Sequence, residues 1–273
     1  MKLFCFGLGY TARHLINELS PLTWQHSGTH KSSGDFIFDG IYPLENAEIF
    51  LKDVTHLLIS IAPDATGEDP VLRLHQQDIV NMPNLKWVGY LSATSVYGDH
   101  RGNWVDEKTT PAPTDERGKA RLITEQKWLS LNLPVHIFRL GGIYGPSRNQ
   151  IDVVKNQTAR KLIKQDHVFS RVHVSDIASA LLSSMQNPAH GIYNIVDDAP
   201  SSSTDVLDYI CEQLSQTPIE GISIESADIS AMMKSFYADN KKVSNTKTKE
   251  ALNWQLKFPS YKEGYAELLA KLN

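Results

Sequence analysis

The first residues able to do chemistry stand at the start of the chain, where Gly7-Leu8-Gly9-Tyr10-Thr11-Ala12 follows an apolar run and opens an apolar-periodic segment. In the form G-x-G-x-x-A, the first glycine permits a tight turn, the second admits a phosphate to the backbone, and a small third residue lets helix and strand pack closely. A helix beginning there turns its free N–H groups and the positive end of its dipole toward a pyrophosphate. Gly7, Gly9, Tyr10, Thr11 and Ala12 are therefore the expected cradle for a dinucleotide.

Roughly 20 residues further on, such sites place a carboxylate for a ribose 2′-hydroxyl or a cation for a 2′-phosphate. Gly28-Thr29-His30-Lys31-Ser32 offers no carboxylate and one lysine, which favours NADP, with NAD as the alternative and His30 and Lys31 at the 2′ position. Asp39, after Phe36-Ile37-Phe38, is placed either to approach an adenine ring or to form a turn before Gly40. His26 and His30 have a metal-like spacing only on a helix; their region reads as strand and turn, so no metal is expected.

A local cradle is what the composition demands. With 27 basic against 31 acidic side chains the formal charge is -4, and the pI is near 6.2. General affinity for nucleic acid or an acidic membrane needs a basic excess that is absent here. Cys5 and Cys211, each inside an apolar run, are a poor basis for a disulfide framework, and a reducing cytoplasm is expected. The N-terminal apolar stretch is too short for a signal peptide and is broken by Gly7 and Gly9. The run from His56 to Pro63 falls far below the ~20 residues of a membrane span.

The elements that must hold these residues read as an alternating α/β chain. Strands are expected at Lys2–Phe6, Leu22–Thr29, Asp35–Phe38, Thr55–Ile61, Lys86–Ser92 and Val135–Leu140. Helical stripes lie after the glycine loop (Ala12, Leu15, Ile16, Leu19) and over 44–52, 71–81 and 119–131. Nearly continuous apolar strands separated by helices imply a doubly wound parallel sheet covered on both faces. Beyond Pro146, helices are expected at Asp152–Lys164, Asp176–Gln186 and Asp205–Leu214, the last capped by the Ser201–Thr204 run, with a strand at Gly191–Val196.

Several further motifs follow in order. They are Leu91-Ser92-Ala93-Thr94-Ser95-Val96-Tyr97-Gly98, Arg117-Gly118-Lys119-Ala120-Arg121 with Glu125, Phe138-Arg139-Leu140-Gly141-Gly142-Ile143-Tyr144-Gly145-Pro146, and Arg171-Val172-His173-Val174-Ser175-Asp176. With the glycine loop they resemble the extended short-chain dehydrogenase/reductases, the group containing nucleotide-sugar epimerases and dehydratases. The resemblance implies a Rossmann domain over about residues 1–146, to which part of 170–198 returns, and a small interleaved α/β substrate cap over 147–273. It also implies a dinucleotide along the strand ends, touching Ile61, Ala62, Ser92, Arg121, Leu140, Gly141 and Gly142, with Arg139 and Tyr144 on its nicotinamide side.

The family's reaction uses a Ser or Thr, a Tyr, and a Lys four residues after the Tyr. Here those positions hold Ala93, Arg117 and Arg121; Ser92 or Thr94 supplies a hydroxyl only if the register shifts by one. A tyrosine titrates near pH 10 and can be lowered toward neutrality, whereas an arginine keeps its proton well beyond that. What guanidinium does well is bind a carboxylate or phosphate, or stabilise an oxyanion. Arg117 and Arg121 on one helix face thus suggest an anionic, nucleotide-linked or other, substrate; the bland alternative pairs Arg121 with Glu125. Tyr97 is the leading substitute proton carrier. The expected function is an atypical NADP-binding epimerase, dehydratase or carbonyl reductase, the competing one a non-catalytic NADP-binding sensor or assembly factor. Trp128, Leu129 and Leu131 on the helix over 119–131 suggest a homodimer.

Overall fold

The computed structural model describes residues 1–272 apart from Ser33, Asp35, Ala65, Asn187, Pro188 and Ala227. The chain opens with β1 (Lys2–Phe6), α1 (Tyr10–Glu18), β2 (Gln25–His30), β3 (Phe36–Ile37), α2 (Ala47–Leu51), β4 (His56–Ile59), α3 (Pro70–Val80) and β5 (Trp87–Ala93). A 3-10 turn (Thr94–Tyr97), β6 (Trp104–Val105), α4 (Glu116–Leu129), β7 (Val135–Leu140) and β8 (Gly142–Tyr144) follow. The remainder runs α5 (Ile151–Lys155), β9 (Lys161–Ile163), β10 (Arg171–His173), α6 (Val174–Gln186), β11 (Gly191–Ile195), α7 (Ser203–Gln213) and β12 (Gly221–Ser223). It ends with α8 (Ala231–Phe236), β13 (Lys242–Val243), α9 (Thr246–Leu252) and α10 (Tyr261–Ala270).

Seven strands form one parallel sheet in the order β11-β7-β5-β4-β1-β2-β3. The order reverses between β1 and β4, and in such sheets a ligand binds at that switch point, beyond the carboxyl ends of the strands. The strand period of two explains the double burial. Leu3 and Cys5 enter a core that includes Leu15 of α1 and Ile177 and Leu181 of α6, while Phe4 and Phe6 enter the opposite core with Leu51, Ile79 and Trp128. A third core, built on Tyr144, Val154, Val206, Ile210, Tyr261 and Tyr265, joins α5, α7 and α10. Ser202 and the N3 carboxylate Asp205 form the capping box of α7, as the serine-rich run implies.

Three expectations change. The helix over Asp152–Lys164 stops at Lys155, because Gln157 takes a left-handed φ of 54° and residues 161–163 pair in parallel with β12, with Lys161 opposite Gly221. β2 begins at Gln25 rather than Leu22, since Ser20–Trp24 closes a turn that leaves Leu22 exposed. The strand expected over Asp35–Phe38 starts on a residue outside those described; Phe36–Ile37 pairs with Thr29–His30. On α4, Trp128 belongs to the core and donates its indole N–H to Asp69, so only Leu129 of the three residues expected at a dimer surface is exposed. No helix among the described residues is long and apolar enough to cross a membrane.

Candidate functional site

The carboxyl ends of β1, β4, β5 and β7 open into one cleft of about 1290 Å³, entered by Gly9, Ser60, Thr94 and Gly142 among others. Its far wall comes from later chain, including Arg160, Leu162, Phe169, Val206, Met233 and Phe236.

The glycine loop forms one end. Gly7 has φ +94°, and a Cβ there would lie 2.9 Å from Ile61 Cγ1, so only glycine fits both the turn and the approach of the chain after β4. Gly7 N–H donates to Thr29 Oγ1 and Leu8 N–H to the Thr29 carbonyl, each at 2.8 Å, which ties the loop to β2. Gly9 is different: it caps α1 without a side-chain hydrogen bond, no acid occupies the first turn, and a Cβ there would meet nothing within 4 Å. Open space above an uncapped helix start is the room a pyrophosphate requires. Ala12 is buried in the core and lets α1 sit close to β1, while Thr11 is buried beside it. Tyr10 crosses the cleft, donating its hydroxyl to the Pro146 carbonyl at 2.9 Å with the Arg148 guanidinium 5.7 Å from its ring. Burial raises the Tyr10 pKa, and Arg148 partly opposes it.

At the end of β2, His30 is half-buried and Lys31 is exposed, without a partner among the described residues. Asp39 forms the turn that was the alternative to adenine contact, accepting the Ile41 and Tyr42 N–H groups at 2.7 and 3.4 Å. Ile61 abuts Gly7, and Ala62 is exposed just beyond it.

The middle of the site departs most from expectation. Tyr97 is fully buried, its hydroxyl donates to Asn194 Oδ1 at 2.8 Å, and the Arg139 guanidinium lies 4.8 Å over its ring. Burial raises its pKa, so the expected proton carrier is closed off from the cleft and harder to ionise. Arg139 does not reach the nicotinamide side either: it forms a buried ion pair with Glu125, Nη2 to Oε2 at 2.7 Å. Ser92 Oγ donates to the other oxygen of that carboxylate at 2.5 Å, which removes Ser92 as a hydroxyl for substrate. Arg121 is therefore not paired with Glu125; it donates to the Leu91 carbonyl at 3.0 Å and lines the cleft. Thr94, half-buried in the cleft wall, has no side-chain partner among the described residues.

Leu140, Gly141 and Gly142 also line the cleft. The room at Gly141, however, is taken by the chain itself, because a Cβ there would lie 2.7 Å from the Ser170 carbonyl. Tyr144 lines the wall with its hydroxyl donated to the Ser260 carbonyl at 3.3 Å. His173 is buried against Phe258, with ring centroids 4.2 Å apart, as a structural histidine would be.

Charge is concentrated here. Asp115 caps α4 through the Gly118 N–H, which starts the helix at Glu116 and sets Arg117 and Arg121 one turn apart on its cleft side. Arg148, Arg160 and Arg171 join them in the lining. Arg148 and Arg160, which carry no motif, were not expected from the sequence and reach the cleft because the later chain folds over it. Arg171 donates to the carbonyls of Phe169, Ser201 and Ser202 and to Ser201 Oγ, and Arg160 to the Asp228 carbonyl. None of these five arginines has a carboxylate within 4.0 Å among the described residues, although acids outnumber bases in the chain. Lys241 also lines the cleft but pairs with Asp239, and Lys247 and Lys249 bind the Ile192 carbonyl and Asp198 elsewhere.

No protein-family model matches the chain. Protein YeeZ of Escherichia coli (strain K12) is 29% identical over 218 residues, 71% of this chain and 77% of that protein. The structure of a functionally unknown conserved protein from Silicibacter pomeroyi DSS superposes with a TM-score of 0.92 at 42% identity, covering 99% of this chain and 98% of that one. A putative NAD-dependent epimerase/dehydratase from Methylobacillus flagellatus gives 0.78 at 24% identity, over 99% and 98% of the two chains. The human epimerase family protein SDR39U1, solved with NADPH, gives 0.77 at 14%, over 99% of each. These last two likenesses concern the fold, which is the α/β fold of NAD-dependent epimerase/dehydratase-like proteins.

Proposed function

We propose, for a chain that belongs to the same family as the conserved Silicibacter pomeroyi protein and has the fold of NAD-dependent epimerase/dehydratase-like proteins, that it binds a nicotinamide dinucleotide, NADP in preference to NAD. Its substrate in this reading is a small anion, transformed by epimerase, dehydratase or carbonyl reductase chemistry. One observation carries the proposal: a glycine loop at an uncapped helix start shares its cleft with five arginines, none of which has a carboxylate within 4.0 Å among the described residues. Gly7, Gly9 and the first turn of α1 would hold the pyrophosphate, and Lys31 the 2′-phosphate. The nicotinamide supplies a hydride donor or acceptor when bound. The chain's own residues orient the substrate: Thr94 would donate its hydroxyl to a carbonyl or alcohol oxygen, and Arg117 and Arg121 would hold a carboxylate, a phosphate or developing negative charge.

A non-catalytic sensor or assembly factor is the second reading, favoured by the tyrosines of the cleft. Tyr10 and Tyr144 donate their hydroxyls to backbone carbonyls and Tyr237 bonds Ser203 Oγ, while the Tyr265 oxygen accepts the Gln150 N–H, so none of the four hydroxyls is without a protein partner. Titration calorimetry of the full chain and its Gly9→Val variant with NADP⁺ and NAD⁺ tests the shared premise. Gly9 has φ -83°, which any residue adopts, so the variant should keep its melting temperature yet lose affinity by at least about tenfold. Binding of neither dinucleotide by the unmodified chain would end both readings. Binding without hydride exchange across a panel of anionic carbonyl compounds would favour the sensor.

A further inference from the structure

We infer that the part of the cleft beside α8 is a pocket for a carboxylate whose body is apolar and about as large as a phenyl ring, with Met233 and Phe236 covering the ring and Arg117 holding the carboxylate. The inference rests on the reading above, in which the cleft takes a dinucleotide and an anionic substrate. Met233 and Phe236 stand three positions apart on α8, which puts them on one helix face. Both line the cleft, and they are 42% and 57% exposed. A lone exposed apolar side chain means little. Two on one helix face at the wall of a cavity form a patch that a ligand can cover.

The chain holds α8 in place at both ends. Before it, Arg160 donates to the Asp228 carbonyl at 2.9 Å, and Ser230 Oγ accepts the Met233 N–H at 3.2 Å. After it, Tyr237 is buried, bonds Ser203 Oγ at 2.7 Å and takes Lys164 Nζ on its carbonyl. Three residues beyond Phe236, Asp239 accepts the Thr114 hydroxyl at 2.6 Å, and Arg117 stands three residues beyond Thr114. That bond ties the end of α8 to the start of α4, so the apolar pair and the guanidinium border one part of the cleft. The Arg117 side chain is exposed and has no hydrogen-bond or ion-pair partner among the described residues, so it can take a carboxylate. Leu162, Phe169 and Val206 add apolar surface to the lining. A phenyl ring gives up no hydrogen bonds on entering such a place, whereas the hydroxyls of a sugar would lose those they make to water.

The experiment is calorimetric titration of the full chain, with and without NADP⁺, using 3-phenylpropionate, propionate and UDP-glucuronate as probes. Burial of the ring predicts 3-phenylpropionate bound about ten- to a hundredfold more tightly than propionate. Phe236→Ser should lower 3-phenylpropionate affinity by about fivefold or more, while the affinities for propionate and NADP⁺ change by less than about twofold. Arg117→Gln should weaken the binding of both acids alike. Binding of 3-phenylpropionate no tighter than that of propionate, or equally tight in Phe236→Ser, overturns the pocket, and so does a preference for UDP-glucuronate over 3-phenylpropionate. A chain that binds NADP⁺ but neither acid overturns the pocket and leaves the dinucleotide reading standing. One that binds neither NADP⁺ nor the acids overturns both.

Discussion

Replacing Glu125 by leucine should be among the most damaging single changes in the molecule. The Glu125 and Arg139 side chains are 1% and 2% exposed, and the guanidinium donates to the carboxylate through Nη2 at 2.7 Å and Nε at 3.2 Å. Leucine leaves a guanidinium inside the protein with no counter-ion, and breaking such a pair costs about 3–5 kcal/mol. For a chain of this size, roughly 2–4 °C of melting temperature accompanies each kcal/mol, so a fall of about 10 °C is expected. The double variant Glu125→Leu/Arg139→Met should recover most of that loss, because two desolvated charges are exchanged for packed apolar groups and Arg139 Nη1 already lacks a partner. Urea unfolding followed by circular dichroism and by tryptophan fluorescence gives the four corners of the cycle. A single variant destabilised by less than about 1 kcal/mol, or a double variant no better than the single, would refute the reasoning.

Two further outcomes follow from the same geometry. Burial, reinforced by Asp198 and Asp176 and opposed by the Ala199 N–H and Arg171, pushes the Asp197 carboxyl up to about 8. The folded state keeps a proton there that the unfolded chain releases near the ordinary value of 3.8, so this group's contribution is complete below about pH 4 and is lost as pH rises through about 8. Burial holds His56, His136 and His173 down near about 4, which stabilises in the opposite direction, but only below their ordinary 6.5. Stability measured between pH 6.5 and about 8 should therefore decline, and Asp197→Asn should flatten that decline; a slope that survives the substitution contradicts the assignment. Tyr97→Phe removes one buried hydrogen bond to Asn194 and should cost about 1–3 kcal/mol of stability while leaving any turnover rate within a few-fold. A rate collapse in that variant, with cofactor affinity retained, would return Tyr97 to the chemistry.

Much of this protein was legible in its sequence because the relevant physics is local. The glycine loop, the capping serines before α7 and the parallel strands each depend on residues within one turn or one strand of one another. The placement of Arg117 and Arg121 on one face of α4 follows likewise from a spacing of four on a helix. Asp39 could be narrowed only to two roles, and the structure chose the turn.

The remainder required partners that sequence distance conceals. Glu125 stands four residues after Arg121, which is an ordinary helical ion pair, yet the packing of α4 on β5 and β7 delivers it to Arg139 and Ser92 instead. Tyr97 follows β5 in a motif that suggests access to substrate, but β11 brings Asn194 onto its hydroxyl from nearly a hundred residues away. Residues 161–163 carry a helical pattern that pairing with β12 overrides. Arg148, Arg160 and Arg171 have no shared motif, and their charges meet across one cleft only when the later chain folds over the strand ends. The sequence by itself determined the sheet, its double burial and the open space at Gly9, because strand period, helix period and glycine stereochemistry act over a few residues. Tertiary structure alone decided which polar groups face the cleft and which neutralise one another inside, since that depends on the burial of charges from distant segments.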